Sequence, residues 1–244
     1  MRYTSCFCCA FLLIATLAHA QVGRQANGTI DFMGLEAFEN VTGNWQLAQD
    51  VFFDSLTTAN EIVAGQGIIV NRPTEELNGN LFTKMQHGDI ELEFEFMMAK
   101  HSNSGVYFQG RYEIQLFDSW GVEVPAFYDC GGVYQRWDER RAGNAKGFEG
   151  KAPLRNACLR PGEWQHLRIV FQAPRFDENG VKIANARFLE VVHNDIVIHQ
   201  DIEVTGPTRS SAFEDEQPFG PLMLQGDHGP VAFRNIRYVG KVCK

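Results

Sequence analysis

The stretch Ile90-Glu91-Leu92-Glu93-Phe94-Glu95-Phe96 alternates an apolar residue with a glutamate at every step. Successive side chains of a β-strand point to opposite faces, so this pattern predicts a strand with one face in a core and the other in solvent. Such alternation is typical of an antiparallel sheet with one wet side. A row of surface glutamates is usually a solvated face, and we assign Glu91 and Glu93 no function.

Further segments with strand character lie on both sides of this one, and turn-forming residues such as Asn78-Gly79 and Glu178-Asn179-Gly180 separate them. The predicted strands are 105–108, Tyr112–Phe117, 166–171, 188–193, Ile196–Val204, 221–224 and 231–239. Helical periodicity is limited to one turn near residues 35–38. Many strands, many turns and little helix predict an all-β fold, a two-sheet antiparallel β-sandwich of the jelly-roll type.

The N-terminus has the organisation of a secretory signal peptide. Arg2 provides a short positive region, residues 6–17 form an apolar run, and Ala18-His19-Ala20 fits a signal peptidase site. An uncleaved anchor is the alternative, but the run is too short to span a bilayer and no second apolar stretch follows. We therefore expect residues 1–20 to be removed and the protein to be exported to the periplasm or the extracellular medium, with no membrane span afterwards. Residues 21–43 would lead into a single domain over 44–244.

Charge and cysteine content exclude some partners. The formal net charge is −8, which disfavours nucleic acid because a phosphate backbone requires a basic face. A neutral ligand such as a sugar is compatible with this charge. Cys130, Cys158 and Cys243 remain after export, and Cys130–Cys158 is the candidate disulfide; three unpaired thiols are the alternative. No Cys or His spacing indicates zinc.

The densest group of polar residues lies on two neighbouring predicted strands, at Asn103-Ser104-Gly105-Val106-Tyr107-Phe108 and in the run from Gly110 to Asp118. Glu113 and Gln115 share one strand face, while Ile114 and Leu116 point to the core. Asp118 would fall on the opposite face of a regular strand, and a β-bulge near Phe117 would bring it round. The interpretation is a cleft with two carboxyl groups and an amide.

Four runs of sequence, in order, resemble the 3-keto-disaccharide hydrolase family: NSGVYFQGRYEIQLFDSWG (103–121), GGVY (131–134), PGEWQHLRIVF (161–171) and GPLMLQGDHGPVAFRNIRY (220–238). The resemblance extends over residues 44–239. It implies a concanavalin A-like lectin/glucanase fold and cleavage of glycosides or disaccharides already oxidised to a ketone at C3. It also implies a partner oxidoreductase that makes this substrate.

β-Glucanases of the same fold place acids at positions i, i+2 and i+5 of one strand, and Glu113, Gln115 and Asp118 have this spacing. The central residue here is an amide, and double displacement needs two carboxyl groups about 5–5.5 Å apart. The likeness therefore transfers the location of the site and not the roles of its residues. A β-glucanase acting on unoxidised glycan stays an alternative.

The keto-sugar substrate suggests a different reaction. A ketone at C3 acidifies the hydrogen on C2, so a base could remove this proton and expel the group on C1, as an alternative to direct hydrolysis. The candidate catalytic residues are Glu113, Asp118 and His228, with His228 as the base because histidine is the usual general base of enzymes that work near neutral pH. Arg234, Arg111 or a divalent cation could hold the enolate oxygen. No cofactor is required; Glu113, Asp118 and Asp227 are the candidate ligands if a cation binds.

The candidate sugar-binding residues are polar or aromatic side chains near this cluster and in the polar segment 136–160: Asn103, Tyr107, Arg111, Gln115, Tyr134, Trp137, Gln225 and Arg234. Trp137 is favoured for stacking on a pyranose because it lies in that polar segment. Asp118 equally fits a turn cap, and Arg234 could hold loop backbone. The rival function is a non-catalytic carbohydrate-binding module, which would need aromatics and amides but no converging ionisable groups.

Overall fold

The computed structural model describes residues 30–32 and 34–243, and side chains from residue 34 to residue 240. The described residues form two short 3-10 helices, Leu35–Ala37 and Gly143–Lys146, and sixteen strands. The strands are β1 (Ile30–Phe32), β2 (Phe38–Glu39), β3 (Trp45–Phe53), β4 (Asn60–Asn71), β5 (Leu81–Met98), β6 (Asn103–Phe108), β7 (Tyr112–Phe117), β8 (Arg136–Trp137), β9 (Gly147–Phe148), β10 (Gln165–Gln172), β11 (Arg175–Phe176), β12 (Lys182–Ala184), β13 (Ala186–His193), β14 (Ile196–Val204), β15 (Gly220–Leu224) and β16 (Val231–Cys243).

The long strand β5 belongs to two layers, because different partners pair with its two halves. Its first half pairs with β2 and β15, and β15 continues to β6 and β7; we call this the front layer. Its second half lies between β10 and β16. On one side β10 continues to β13 and β14, and on the other β16 continues to β4 and β3. We call these strands the back layer. All these pairings are antiparallel. The predicted two-layer β-sandwich is therefore confirmed, as two halves of one hydrogen-bonded sheet.

Aromatic side chains fill the space between the layers. Phe108 of the front layer lies 4.9 Å from Phe171 and 5.4 Å from Phe188 of the back layer, measured between ring centroids. Tyr112 lies 5.5 Å from Phe171. All four rings are almost completely buried, and each buried aromatic side chain removes a large apolar area from water. This packing leaves the other face of each layer free for solvent or for a site.

The strand pattern of the sequence agrees with the structure in most places. The alternating stretch 90–96 forms part of β5, with Leu92, Phe94 and Phe96 inside and the glutamates outside. Strands β3 and β4 and the first half of β5 were not predicted. The segment expected to lead into the domain takes part in the fold, because β1 pairs with β16, β2 pairs with β5, and Phe38 is buried in the core.

The predicted signal peptide, residues 1–20, lies outside the described residues. Within the described part of the chain, no helix has the length and apolar character that crossing a bilayer requires.

Candidate active site

A cavity of about 230 Å³ opens on the outer face of the front layer. Residues of β6 and β7, of the turn after β15 and of two loops line it: Asn103, Tyr107, Glu113, Gln115, Tyr134, Arg209, Ser210, Gln225 and His228. Strand alternation explains this, since Val106, Ile114 and Leu116 point into the core while their neighbours point outward.

The register between β6 and β7 brings Tyr107 directly opposite Glu113, and Gly105 opposite Gln115. A tight turn sets this register. Gln109 and Gly110 have positive φ angles of 55° and 66°, and the Arg111 N–H donates to the Phe108 carbonyl at 2.9 Å. Two central residues of positive φ define the turn whose twist matches paired antiparallel strands.

Glu113 is a buried carboxyl group with an incomplete set of partners. Burial raises its pKa from 4.5 to about 8, the Asp227 charge adds to the rise, and a hydrogen bond from the Tyr107 hydroxyl opposes it. The Gln115 amide is assigned with its nitrogen donating to Glu113 Oε1 at 3.1 Å and to the Ser104 carbonyl at 2.7 Å, because the opposite orientation faces its oxygen toward both acceptors. Glu113 Oε2 has no hydrogen-bond partner among the described residues. At neutral pH this carboxyl group is therefore mostly protonated, on a cavity wall.

Gly105 provides the space that the Glu113 carboxyl group occupies. A Cβ atom at position 105 would lie 2.4 Å from Glu113 Oε1 and 3.1 Å from a ring carbon of Tyr107. Contacts below 3 Å between a Cβ and a neighbouring atom require a displacement. Any larger residue at position 105 would therefore move the carboxyl group.

His228 lies on the loop after β15 and is half exposed. Its Nδ1 is 2.8 Å from Oδ1 of Asp227, which leaves Nε2 free to meet a ligand. Two buried asparagines hold the loop backbone. Asn71 donates through Nδ2 to the Gly226 carbonyl at 3.1 Å, and Asn44 Nδ2 donates to Asn71 Oδ1 at 2.8 Å. Neither asparagine was predicted as a site residue, since a lone Asn at a strand end usually indicates only a turn.

The opposite wall of the cavity is attached to the free edge of β7. The Tyr134 N–H donates to the Glu113 carbonyl at 3.2 Å, and the Glu113 N–H donates to Thr208 Oγ1 at 3.2 Å. These bonds bring Tyr134 and Arg209 beside Glu113. Burial and the Glu113 charge raise the pKa of Tyr134, and the Arg209 charge counteracts them. Arg209 forms no ion pair with a described carboxylate, and its guanidinium lies over the Trp137 ring at 4.0 Å.

The structure brings together seven of the predicted site residues: Asn103, Tyr107, Glu113, Gln115, Tyr134, Gln225 and His228. Arg209 and Ser210 were not predicted. They follow Pro207-Thr208 in a polar loop without periodicity. An arginine without an ion-pair partner, Arg209, is the one signal that could have identified them. The cavity thus combines a buried protonated carboxyl group, a histidine with a carboxylate neighbour, a free guanidinium and several amide and phenol groups.

Comparison with known proteins identifies the family. The profile of the 3-keto-alpha-glucoside-1,2-lyase-like domain matches residues 27–238, most of the chain. The chain belongs to this family. Its membership in the 3-keto-alpha-glucoside-1,2-lyase-like family confirms the predicted resemblance and indicates action on carbohydrate. No curated protein matches the sequence.

Two solved structures of proposed glycosyl hydrolases from Parabacteroides distasonis ATCC 8503 have the same fold. One, at 2.13 Å resolution, is 23% identical with a TM-score of 0.54, and the match covers 81% of this chain and 79% of that one. The other, at 2.00 Å, is 20% identical with a TM-score of 0.57, covering 88% of this chain and all of that one. At these identities the likeness concerns the fold.

Four predicted site residues of this family member do not line the cavity: Asp118, Arg111, Arg234 and Trp137, of which Trp137 lies beside it under the Arg209 guanidinium. Asp118 Oδ2 accepts the His101 N–H at 2.9 Å, as a turn cap does. The expected bulge near Phe117 is absent, since the β6–β7 register continues unshifted to the Asn103–Phe117 pair. Arg111 is buried and holds the loop after β14, donating to Asp215 Oδ1 at 2.9 Å and to the Gln109 carbonyl at 2.7 Å.

Arg234 is on the outer face of the back layer, on the opposite side of the sandwich from the cavity. Its Nε donates to Glu95 Oε2 at 2.7 Å, and its guanidinium stacks on Trp164 at 3.9 Å. The prediction that Arg234 or Arg111 faces the substrate is therefore wrong, because protein carboxylates and carbonyls already use these guanidinium groups.

The candidate metal ligands Glu113, Asp118 and Asp227 do not come together. In the described part of the chain, no three His, Cys, Asp or Glu side chains are grouped so that they could hold a metal ion. Asp118 is engaged at its turn, and Asp227 is paired with His228.

Cys130 and Cys158, the predicted disulfide, are neighbours but carry free thiols in the structure. A hydrogen bond with Cys158 and burial raise the pKa of Cys130 well above the ordinary thiol value. The Cys158 thiol also lies 3.4 Å from the Leu159 carbonyl. The two cysteines are therefore close together but are not joined by a disulfide bond.

Proposed function

We propose that the protein cleaves the glycosidic bond of 3-keto-glycosides, including 3-keto-disaccharides, by removing the C2 proton and eliminating the group on C1. The observation that carries this proposal is Glu113, a carboxyl group held protonated near neutral pH on the wall of a sugar-sized cavity. A protonated carboxylic acid can protonate a departing oxygen but cannot act as a nucleophile. Elimination needs a general acid and no nucleophile, whereas a retaining glucanase needs an ionised carboxylate as its nucleophile.

His228 is the base in this proposal. Its ring lines the cavity, and the Asp227 carboxylate at Nδ1 fixes the tautomer that presents a basic Nε2. The same carboxylate stabilises the imidazolium that forms when His228 takes the C2 proton. Asn71 and Asn44 hold the backbone of this loop, so the base has a fixed position.

Arg209 is proposed to hold the enolate oxygen. Removal of the C2 proton places negative charge on the oxygen at C3, and a preorganised cation at that position stabilises it. Arg209 fits this role because it lines the cavity and forms no salt bridge with a described carboxylate, although its charge also acts on Glu139. Arg111 and Arg234, by contrast, are paired elsewhere.

The proposed steps balance without a redox change in the enzyme. His228 removes hydrogen from C2, and the electron pair of the C–H bond forms the C2–C3 enolate. The enolate then restores the C3 ketone while a double bond forms between C1 and C2. The C1–O bond breaks, and the leaving oxygen takes the Glu113 proton. Addition of water across C1=C2 afterwards would give the overall products of hydrolysis.

Export and an oxidising partner are part of the same proposal. The leader over residues 1–20 supports periplasmic or extracellular action, and N-terminal sequencing of the secreted protein should find Gln21 first. The C3 ketone must come from a separate oxidoreductase that acts on the sugar before this enzyme does.

The decisive experiment compares matched glucosides with and without a C3 ketone, with product release followed by mass spectrometry. We expect cleavage of the keto substrate alone, and incorporation of solvent deuterium at C2 during turnover. Cleavage of the unoxidised glucoside would favour a β-glucanase. Binding of both sugars with cleavage of neither would favour a carbohydrate-binding module.

A further inference from the structure

A second and larger cavity lies beside the candidate active site and shares a wall with it. Its volume is about 680 Å³, against about 230 Å³ for the first cavity. Arg209 and Ser210 line both cavities, so a ligand that extends out of the first would pass over these two residues into the second. Pockets that enclose a small ligand measure roughly 300–1,000 Å³, so the first cavity suits a single ring and the second leaves room for more.

We propose that the second cavity is the binding site for the leaving group, and that it takes an uncharged sugar rather than a charged or a flat aromatic group. This inference rests on the proposed function, since it assigns the oxidised ring to the first cavity. It makes Trp137 a specificity residue for the group attached to C1.

The charges around the second cavity favour a neutral, hydroxyl-rich ligand because most of them are paired within the protein and their formal charges cancel. Arg140 donates to both oxygens of Asp138, each at 2.9 Å. Lys146 donates to Glu139 at 2.6 Å. Three arginines and three acids line the cavity, so their formal charges cancel. The Ser210 hydroxyl on the shared wall provides a further hydrogen-bonding group.

Among the described residues that line this mostly polar cavity, Trp137 is the aromatic one. Its Nε1 donates to Glu139 Oε1 at 2.7 Å, and Arg209 covers one face of the ring at 4.0 Å. These two contacts fix the ring in place. A fixed indole beside polar groups suits a pyranose, whose C–H face is apolar and whose rim carries hydroxyl groups.

The test compares two substrates that share the oxidised ring: a 3-keto-disaccharide of glucose, and the 3-keto derivative of methyl glucoside. For Trp137→Ala we expect the ratio of kcat/KM on the disaccharide to kcat/KM on the methyl glycoside to fall about tenfold or more, chiefly through KM, beyond any loss common to both substrates that follows from uncovering Arg209. Ser211→Trp narrows only the second cavity, since Ser211 does not line the first. It should cause the same selective loss on the disaccharide, and it replaces Trp137→Ala as the test if that variant does not fold. Trp164→Ala is the matched control, because Arg234 stacks on Trp164 at 3.9 Å on the far side of the sandwich.

Each outcome distinguishes the two proposals. Selective loss on the disaccharide in both variants, with none in the control, supports the leaving-group site. Equal loss on both substrates, or no loss on either, overturns it while the proposed reaction stands. If the unmodified protein cleaves neither keto substrate, the proposed function itself fails.

Discussion

The two outer faces of the sandwich carry glutamates in opposite circumstances. On the back layer, Glu93 accepts from His166 at 2.8 Å and from Arg237 at 3.2 Å, and Glu95 accepts from Arg234 at 2.7 Å. These side chains are partly exposed, and every one has a cation beside it. On the front layer, Glu113 is buried, no cation pairs with it, and one of its oxygens has no partner among the described residues.

This difference separates a structural surface from a site. Partly exposed ion pairs contribute little to stability and tolerate change, whereas a buried group without its full set of partners destabilises the fold. A protein keeps such a group where a ligand completes its contacts. Gln225, whose Oε1 is also buried and unpartnered, lies on the same cavity. Other buried atoms without a partner, such as Gln165 Nε2 and His193 Nδ1, lie away from the cavity, so it is the meeting of two such atoms on one cavity that marks the functional face.

The largest expected contrast is between Glu113→Gln and Glu95→Gln. Loss of a positioned general acid lowers the rate by about 10²–10⁴-fold, so Glu113→Gln should reduce kcat on a 3-keto-glucoside by that factor. Glu95→Gln removes only a paired surface charge and should keep kcat within about twofold. Steady-state kinetics on both variants, with circular dichroism to verify folding, measures the difference. Equal losses would remove the distinction between the two faces.

The pH dependence should sharpen this contrast. Because the pKa of Glu113 is raised to about 8 in the folded protein, its proton is present at neutral pH and kcat should fall as pH rises through 8. The free energy of unfolding should also fall as pH rises. The raised pKa stabilises the fold fully below 4.5, and this contribution is lost as pH rises toward 8. Denaturant midpoints between pH 5 and 9 should show that this slope weakens in Glu113→Gln and persists in Glu95→Gln.

A smaller loss of activity is expected from Gly105→Ala, which removes no polar group from the site. The added Cβ would lie 2.4 Å from Glu113 Oε1, so the carboxyl group must shift. Misplacement of a catalytic group by about 1 Å can cost roughly 10²-fold, and we expect kcat to fall by up to this factor with about 1–3 kcal/mol of destabilisation. Unchanged kinetics in a folded variant would mean that the position of this carboxyl group does not matter.

The smallest effect should come from Glu91→Gln on the back layer. Arg168 donates to Glu91 at 2.6 Å and equally to Glu190, so the guanidinium keeps one carboxylate after the change. We expect the variant's free energy of unfolding to be lower by at most about 1 kcal/mol, and its difference from the unmodified protein to shrink in high salt. A loss of several kcal/mol in denaturant titrations would show that the paired face contributes more than these exposed contacts explain.

Most of the back layer and the β6–β7 hairpin were predictable because their residues alternate, but β3 and β4 were not. Strand β4 was missed, since Ala64-Gly65-Gln66-Gly67 interrupts it with glycines and Gly67 has a φ of +96°. Its buried end at Asn71 nevertheless holds the His228 loop. Local periodicity contains no information about such long-range contacts.

The site was predicted in part for the same reason. Tyr107 of β6 and Glu113 and Gln115 of β7 share a cavity because alternation directs all three to one face of the hairpin. Alternation does not predict which carboxylate a given arginine will pair with. Arg234 was expected to face the substrate and instead pairs across the back layer with Glu95, whereas Arg209, in a loop without periodicity, reaches the cavity.

Strand β5 connects the site to the rest of the molecule. Its eighteen residues pair with β2 and β15 of the front layer and with β10 and β16 of the back layer. Neither layer can lose its hydrogen bonds to β5 without disturbing the strand that completes the other. The cavity and the charged face should therefore melt in a single cooperative transition, so the two faces are independent in chemistry but not in unfolding.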